Sequence, residues 1–87
     1  MALYQELWNL ALYDLEVVCG EAVINSWIAK LTPVSFDDGV FCLSCATDFI
    51  CDNVRNRYGK EILSSLQAHN ESVREVSFIV SYKSKQN

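Results

Sequence analysis

ATDFICDNVRNRY, residues 46–58, decides how the rest of the chain is read. It follows a strand-like apolar run and opens a helix. Ile50, Val54, Tyr58, Ile62 and Leu66 recur every four residues, so they form one apolar stripe that drifts slowly round the helix. Phe49 lies off that stripe. Its same-face neighbours are Cys45, Asp52 and Asn53, which sets an aromatic ring beside polar groups in the first turn. One face of this helix is expected to close a small core, and Phe49 to point outward. Thr47 is the expected N-cap, and Asp48 suits the first turn, where the helix dipole favours an anion.

Upstream, Phe41, Leu43 and Cys45 alternate with Cys42 and Ser44, the period of a strand. Val34 and Phe36 alternate about Ser35 in a shorter one. Asp37-Asp38-Gly39 joins them as a hairpin turn, with Gly39 supplying positive φ. Pro33 ends what precedes, because the residue before a proline is pushed towards extended geometry. Glu21–Leu31 reads as a helix in which Ile24, Trp27, Ile28 and Leu31 share a face, with Trp27 as a core anchor. Val23 lies to the side, and Glu21 reads as a helix-terminus charge. Gly20 separates this helix from the first, at residues 3–18.

The first helix is apolar over more than half its circumference. Leu3, Leu7, Ala11, Leu15 and Val18 make the expected core stripe. A second line runs through Tyr4, Trp8 and Leu12, with Leu10 and Tyr13 nearby. A domain this small cannot bury all of it, so Trp8 and Leu12 are expected to point outward into a protein contact. Trp8 packed at the core edge is the competing reading.

Downstream, Gly59 interrupts the long helix at a cost of about 1 kcal/mol, so a kink or shallow break is expected there. Arg55, Arg57 and Lys60 make a small basic patch, which a solvated helix face would also explain. His69 is the one histidine and has no motif around it. Residues 73–82 read as a last strand with Val76, Phe78, Val80 and Tyr82 on one face. Residues 83–87 are polar and read as the start of a linker, so residues 1–82 form one domain.

Composition limits the function. A chain of 87 residues buries only about 60–65% of its unfolded surface. Yet 51% of the residues are hydrophobic and the mean hydropathy is +0.09, so some apolar surface needs a partner or a second copy to cover it. No run approaches the ~20 apolar residues of a membrane span. No basic segment precedes an apolar one, so no signal peptide is expected, and the chain is read as cytoplasmic with reduced thiols. A net charge of −4 disfavours tight nucleic-acid binding, where Lys and Arg against phosphate supply the main attraction. Cys42-x-x-Cys45 looks like half a zinc knuckle, but on a strand the two thiols face opposite ways and no second ligand pair exists. Small hydrophobes filling a strand explain the cysteines better, and no metal or other cofactor is expected.

The order helix, helix, strand, strand, helix, strand predicts an α+β fold, with helices packed on a small three-stranded sheet. The first two strands pair antiparallel; the neighbour of the third is left open.

Leu7-Trp8, Ser26-Trp27-Ile28, the DDG hairpin, Asp48-Phe49-Ile50 with Asp52, Val54, Arg55 and Tyr58, and the closing Val76-x-Phe78-x-Val80 strand together resemble the N-terminal domain of the bacterial replication initiator DnaA. The resemblance runs from Leu7 to Val80. It implies a KH-like fold and an assembly module without catalysis, which self-associates as a weak dimer and docks the replicative helicase and replication regulators. By the same resemblance, Trp8 marks self-association, with Tyr4 and Leu12 beside it, and Phe49 touches the helicase, with Asp48 beside it. Val23 stands where the family has an acidic residue, a departure at the helicase contact. The ATP-binding and duplex-DNA-binding domains of such an initiator lie outside this sequence. Weak single-stranded DNA binding is the alternative function, with Arg55, Arg57 and Lys60 as its candidate contacts. No G-x-x-G loop is present to clamp a backbone. A thiol enzyme or metal protein is a third reading, and it lacks a general base and a ligand set.

Overall fold

A two-residue turn joins the first two strands. In the computed structural model, which describes residues 3–80, Asp38 and Gly39 have φ of 55° and 82° and connect β1 (Thr32–Asp37) to β2 (Val40–Cys45). Positive φ at both central residues matches the right-handed twist of the flanking strands, and Asp-Gly is the pair that tolerates it. Asp37 faces Val40 across the turn, and the strands run antiparallel. The turn is buttressed from the far end of the chain: Arg74 Nη2 donates to the Asp38 carbonyl at 2.7 Å, and the Arg74 amide donates to the Gly39 carbonyl at 2.7 Å. A Cβ at Gly39 would stand 2.5 Å from Arg74 Nε and 3.2 Å from the Ser72 carbonyl. Gly39→Ala is therefore expected to cost about 1–3 kcal/mol through strain at positive φ, read as a lower midpoint in urea denaturation.

Six elements follow the expected order: α1 (Leu3–Cys19), α2 (Glu21–Ser26), β1, β2, α3 (Asp48–His69) and β3 (Glu75–Val80). The fold is α+β, with the three helices packed on a three-stranded mixed sheet in the order β1-β2-β3. β3 pairs with β2 in parallel, which α3 makes possible by carrying the chain back across the sheet. Register places Phe41 beside Val76, Leu43 beside Phe78 and Cys45 beside Val80, so the inner face is one apolar surface. The other face carries Cys42 beside Ser77 and Ser44 beside Ile79. Tyr82, and the residues 83–87 expected to begin a linker, lie outside the described residues.

The core gathers Leu7, Trp8, Ala11 and Leu15 of α1, Ile24 of α2, Phe41 and Leu43 of β2, and Val54, Ile62 and Leu66 of α3. Trp8 is a correction to the sequence reading. It is 2% exposed and its ring lies 6.2 Å from that of Phe41, which in turn meets Phe36 at 5.8 Å. The sheet needs a large side chain over its centre, and Trp8 is on the side of α1 that faces it. Leu3 and Val18, expected in the core, are 67% and 66% exposed. They stand at the two ends of α1, where its core-facing line runs out.

Two helix boundaries also differ. Helix α2 stops at Ser26; Trp27, at φ −126°, closes it, and a single 3-10 turn, Ile28–Lys30, leads to the strand. The turn brings Ile28 and Leu31 into the core within a shorter length. Helix α3 runs unbroken through Gly59. Val54 on one side and Ile62 on the other are both buried on one stripe, so packing keeps the helix continuous where local propensity is poor. A Cβ at Gly59 would meet nothing within 4 Å. Gly59→Ala is thus expected to stabilise the domain by about 0.5–1 kcal/mol, visible as a raised melting temperature.

Candidate functional site

Among the described residues the helices leave two apolar surfaces uncovered, and their geometry explains both. The first is the outer side of α1. Burying Leu7, Trp8, Ala11 and Leu15 turns the opposite side to solvent. Leu3, Leu10 and Val17, spaced seven residues apart, and Tyr13 between the last two, then form an exposed line, with Leu10 50%, Tyr13 76% and Val17 85% accessible. Spacing of seven keeps side chains on one slowly drifting seam, the arrangement by which helices pair. Glu6 falls within this line, and Asp14 is drawn aside to His69, whose Nε2 is 2.6 Å from Asp14 Oδ2. That contact ties α1 to the end of α3 and gives the lone histidine a structural partner. Tyr4 and Leu12 are half-buried against the core, so they flank the seam and do not lie on it. The sequence reading turned Trp8 and Leu12 outward; the structure instead turns out Tyr13 and Leu3, Leu10 and Val17, and the seven-residue spacing of the last three was the available signal.

The second surface is where α2 ends and α3 begins. The Thr47 hydroxyl accepts from the Ile50 amide at 3.2 Å and starts α3, which fixes Phe49 in the first turn. Phe49 is 67% exposed, and its ring lies 6.1 Å from that of Trp27 at an interplanar angle of 48°. Trp27 is half-buried, so it is the floor of this patch as well as a prop of the core. Val23 is one turn earlier, its carbonyl accepting from the Trp27 amide at 2.9 Å, and is half-buried. Asp48 and Asp52 are exposed beside Phe49, and Asn53 Nδ2 donates to the Phe49 carbonyl at 2.9 Å. An aromatic pair with an acidic rim can seat an apolar anchor and repel acids. The reading of Trp27 as a pure core anchor missed this second role, because helical spacing shows only the side it shares with Ile24 and Ile28.

The basic patch is split. Arg55 and Lys60 line a cleft between α3 and β3 together with Arg74, while Arg57, roughly 200° round the helix from Arg55, is not part of it. Arg55 Nη2 also meets Asp52 Oδ1 at 2.5 Å, an exposed pair. The cysteines are dispersed by depth. Burial pushes the Cys45 thiol up to about 12, and the Cys51 thiol beside it adds to the effect. Burial also raises Cys42, against a hydrogen bond from Ser77, and Cys19, where Glu61 adds to the effect. Cys51 Sγ donates to the Ile79 carbonyl at 3.4 Å. The raised Cys19, Cys42 and Cys45 thiols keep their protons near neutrality, the opposite of what a nucleophile or a metal ligand requires. Among the described residues no group of three or more His, Cys, Asp or Glu could hold a metal ion, and no helix is long and apolar enough to cross a membrane.

Residues 5–68 match the family model described as the DnaA N-terminal domain. Among curated relatives, the chain is 28% identical over 76 residues to the chromosomal replication initiator protein DnaA of Rickettsia akari (strain Hartford) and 30% identical over 73 residues to that of Rickettsia bellii (strain OSU 85-389). These alignments cover 87% and 84% of this chain but 16% of each relative, so the chain spans about one sixth of the relatives' length.

Proposed function

The chain belongs to the DnaA N-terminal domain family, and from that premise we propose that it is the non-catalytic interaction and self-association module of a chromosomal replication initiator. Its partners are a second copy of itself, the replicative helicase and replication regulators that gather at an origin. The observation that carries this reading is the pair of uncovered apolar surfaces on a chain whose core is already complete. Leu3, Leu10, Tyr13 and Val17 supply the self-association seam, with Tyr4 and Leu12 at its margin. Trp8 acts from beneath, by fixing which side of α1 faces out. Phe49, Trp27, Val23 and Asp48 supply the helicase or regulator contact.

Acidic groups set the character of both surfaces. Helix α1 carries Glu6, Asp14 and Glu16 and no Lys or Arg, so two copies repel as their seams approach. Pairing is therefore weak, and salt strengthens it by screening the repulsion.

Phe49→Ala tests the partner surface. Phe49 is mostly exposed and loses only its ring contact with Trp27, so the fold is kept and the unfolding free energy falls by about 1 kcal/mol at most. Binding to purified replicative helicase, measured by surface plasmon resonance, is expected to weaken by tenfold or more, about 1.4 kcal/mol. Unchanged binding removes Phe49 from the contact.

A further inference from the structure

Cleft and strand edge meet on the side of the molecule away from α1. β3 is an edge strand, and no other strand among the described residues pairs with its outer side. The two edges of this sheet are built differently. β1 carries Pro33 and a bulge at Val34, where the register shifts between Pro33 and Ser35, and both features discourage pairing with another chain. β3, EVSFIV, has neither a proline nor a lysine, and its register with β2 runs unbroken from Glu75 to Val80. Among the described residues its edge is regular and mostly apolar, with Glu75 its one charge.

Along that edge lies the cleft against α3, floored by Leu63, Val76 and Phe78. Gly59 also lines it, and the missing side chain leaves open space. Arg55, Lys60 and Arg74 stand round it, and Glu75 is the one carboxylate among the lining residues. The chain as a whole is at −4, so this is a local reversal of sign. Asp52 pairs with Arg55 only at the surface, which leaves that cation available at little cost. Arg74 spends one hydrogen bond on a neutral carbonyl and keeps its charge.

We propose that the edge of β3 and the adjoining cleft accept an extended acidic peptide, added as a fourth strand beside β3. Alternate side chains of such a strand point to the helix side of the sheet. There they continue the inner row of Val76 and Phe78 and fall into the space over Gly59 and Leu63. An apolar residue suits the position over Gly59 and Leu63, and acidic residues two positions before and after it, on the same helix-side row, meet Arg55, Lys60 and Arg74 at the rim. The chain's own residues 81–87, SYKSKQN, carry two lysines and no acid, the wrong charge for this rim.

This surface is separate from the α1 seam and from the Trp27–Phe49 patch, so it stands or falls independently of the function proposed above. The test is an NMR titration of the 15N-labelled 87-residue chain with ten-residue peptides in which every second residue forms one row, a Val, Leu or Phe flanked on that row by Asp or Glu, and the intervening residues are Ser or Thr. Shifts are expected at the amides of residues 75–80 and at Gly59, with α1 undisturbed. Methylating alternate backbone nitrogens of the peptide is expected to abolish binding, because the strand then cannot pair. Gly59→Leu, which fills the cleft with a good helix former, and the double variant Arg55→Glu/Lys60→Glu are each expected to weaken binding about tenfold or more while the circular dichroism spectrum is kept. Absence of shifts at residues 75–80 overturns the proposal, as does equal binding of the methylated peptide. Tighter binding of a single-stranded oligonucleotide than of any peptide at these same residues also overturns it and reassigns the cleft to nucleic acid.

Discussion

Trp8→Ala is expected to lower the free energy of unfolding by about 3–5 kcal/mol, the range for deleting a large aromatic from a packed core. The indole is 2% exposed and lies over the centre of the sheet against Phe41, with Leu7 and Ala11 beside it on α1. Removing it leaves a cavity where α1, β1 and β2 converge, and a small domain has only about 5–10 kcal/mol to lose. Most of the variant is expected to be unfolded, or close to it, at 37 °C. Were Trp8 a surface contact, as helical spacing first suggested, the change would stay within about 0.5 kcal/mol. Urea denaturation followed by circular dichroism separates these outcomes by a wide margin. Loss of self-association in Trp8→Ala therefore carries no information about the dimer contact unless folding is measured alongside it.

The informative variant is Leu10→Glu/Val17→Glu. Both side chains are exposed, so the melting temperature is expected to stay close to wild type. A symmetric contact repeats each change in both copies, so four apolar side chains are lost and four charges are added to a helix that is already acidic. Even partial burial of a Leu or Val is worth about 1 kcal/mol, so the dimer dissociation constant is expected to rise by more than about a hundredfold. Sedimentation velocity should show a strict monomer at concentrations where wild type associates. Continued association of the double variant would remove the α1 seam from the contact.

Local chemistry made much of the fold readable. The Asp-Gly turn, the Thr47 cap and the alternation through Phe41, Leu43 and Cys45 are each settled within a few residues, and each stands in the structure where the sequence placed it. Features set by distant parts of the chain were not readable. The parallel pairing of β3 with β2 depends on how α3 returns, and nothing in residues 75–80 encodes it. The Val34 bulge follows from fitting Pro33 opposite Leu43. The continuity of α3 through Gly59 reflects Val54 and Ile62 docking on either side, a tertiary effect that outweighs a propensity cost of about 1 kcal/mol.

Helix α1 shows the same limit at the candidate site. Its sequence offers two apolar lines, and periodicity cannot rank them. Phe41 decides the matter from another element: the position facing its ring, which Phe36 backs, takes the large residue, Trp8, and the line through Leu10 is left outside. Phe49 was readable because it departs from its own helix's stripe. Trp27 beneath it was not, because one ring can prop a core and floor a surface patch together. Arg74 carried no local signal for the cleft, which exists only once β3 lies beside α3.

The central claim is that the outer line of α1 meets a second copy while Trp8 stays inside. Amide and side-chain NMR shifts of the 87-residue chain, recorded over a dilution series, test it directly. Concentration-dependent shifts are predicted at Leu3, Leu10, Tyr13 and Val17, with the Trp8 indole unmoved. Shifts absent at every concentration, or confined to the Trp27–Phe49 end of the molecule, would contradict the account.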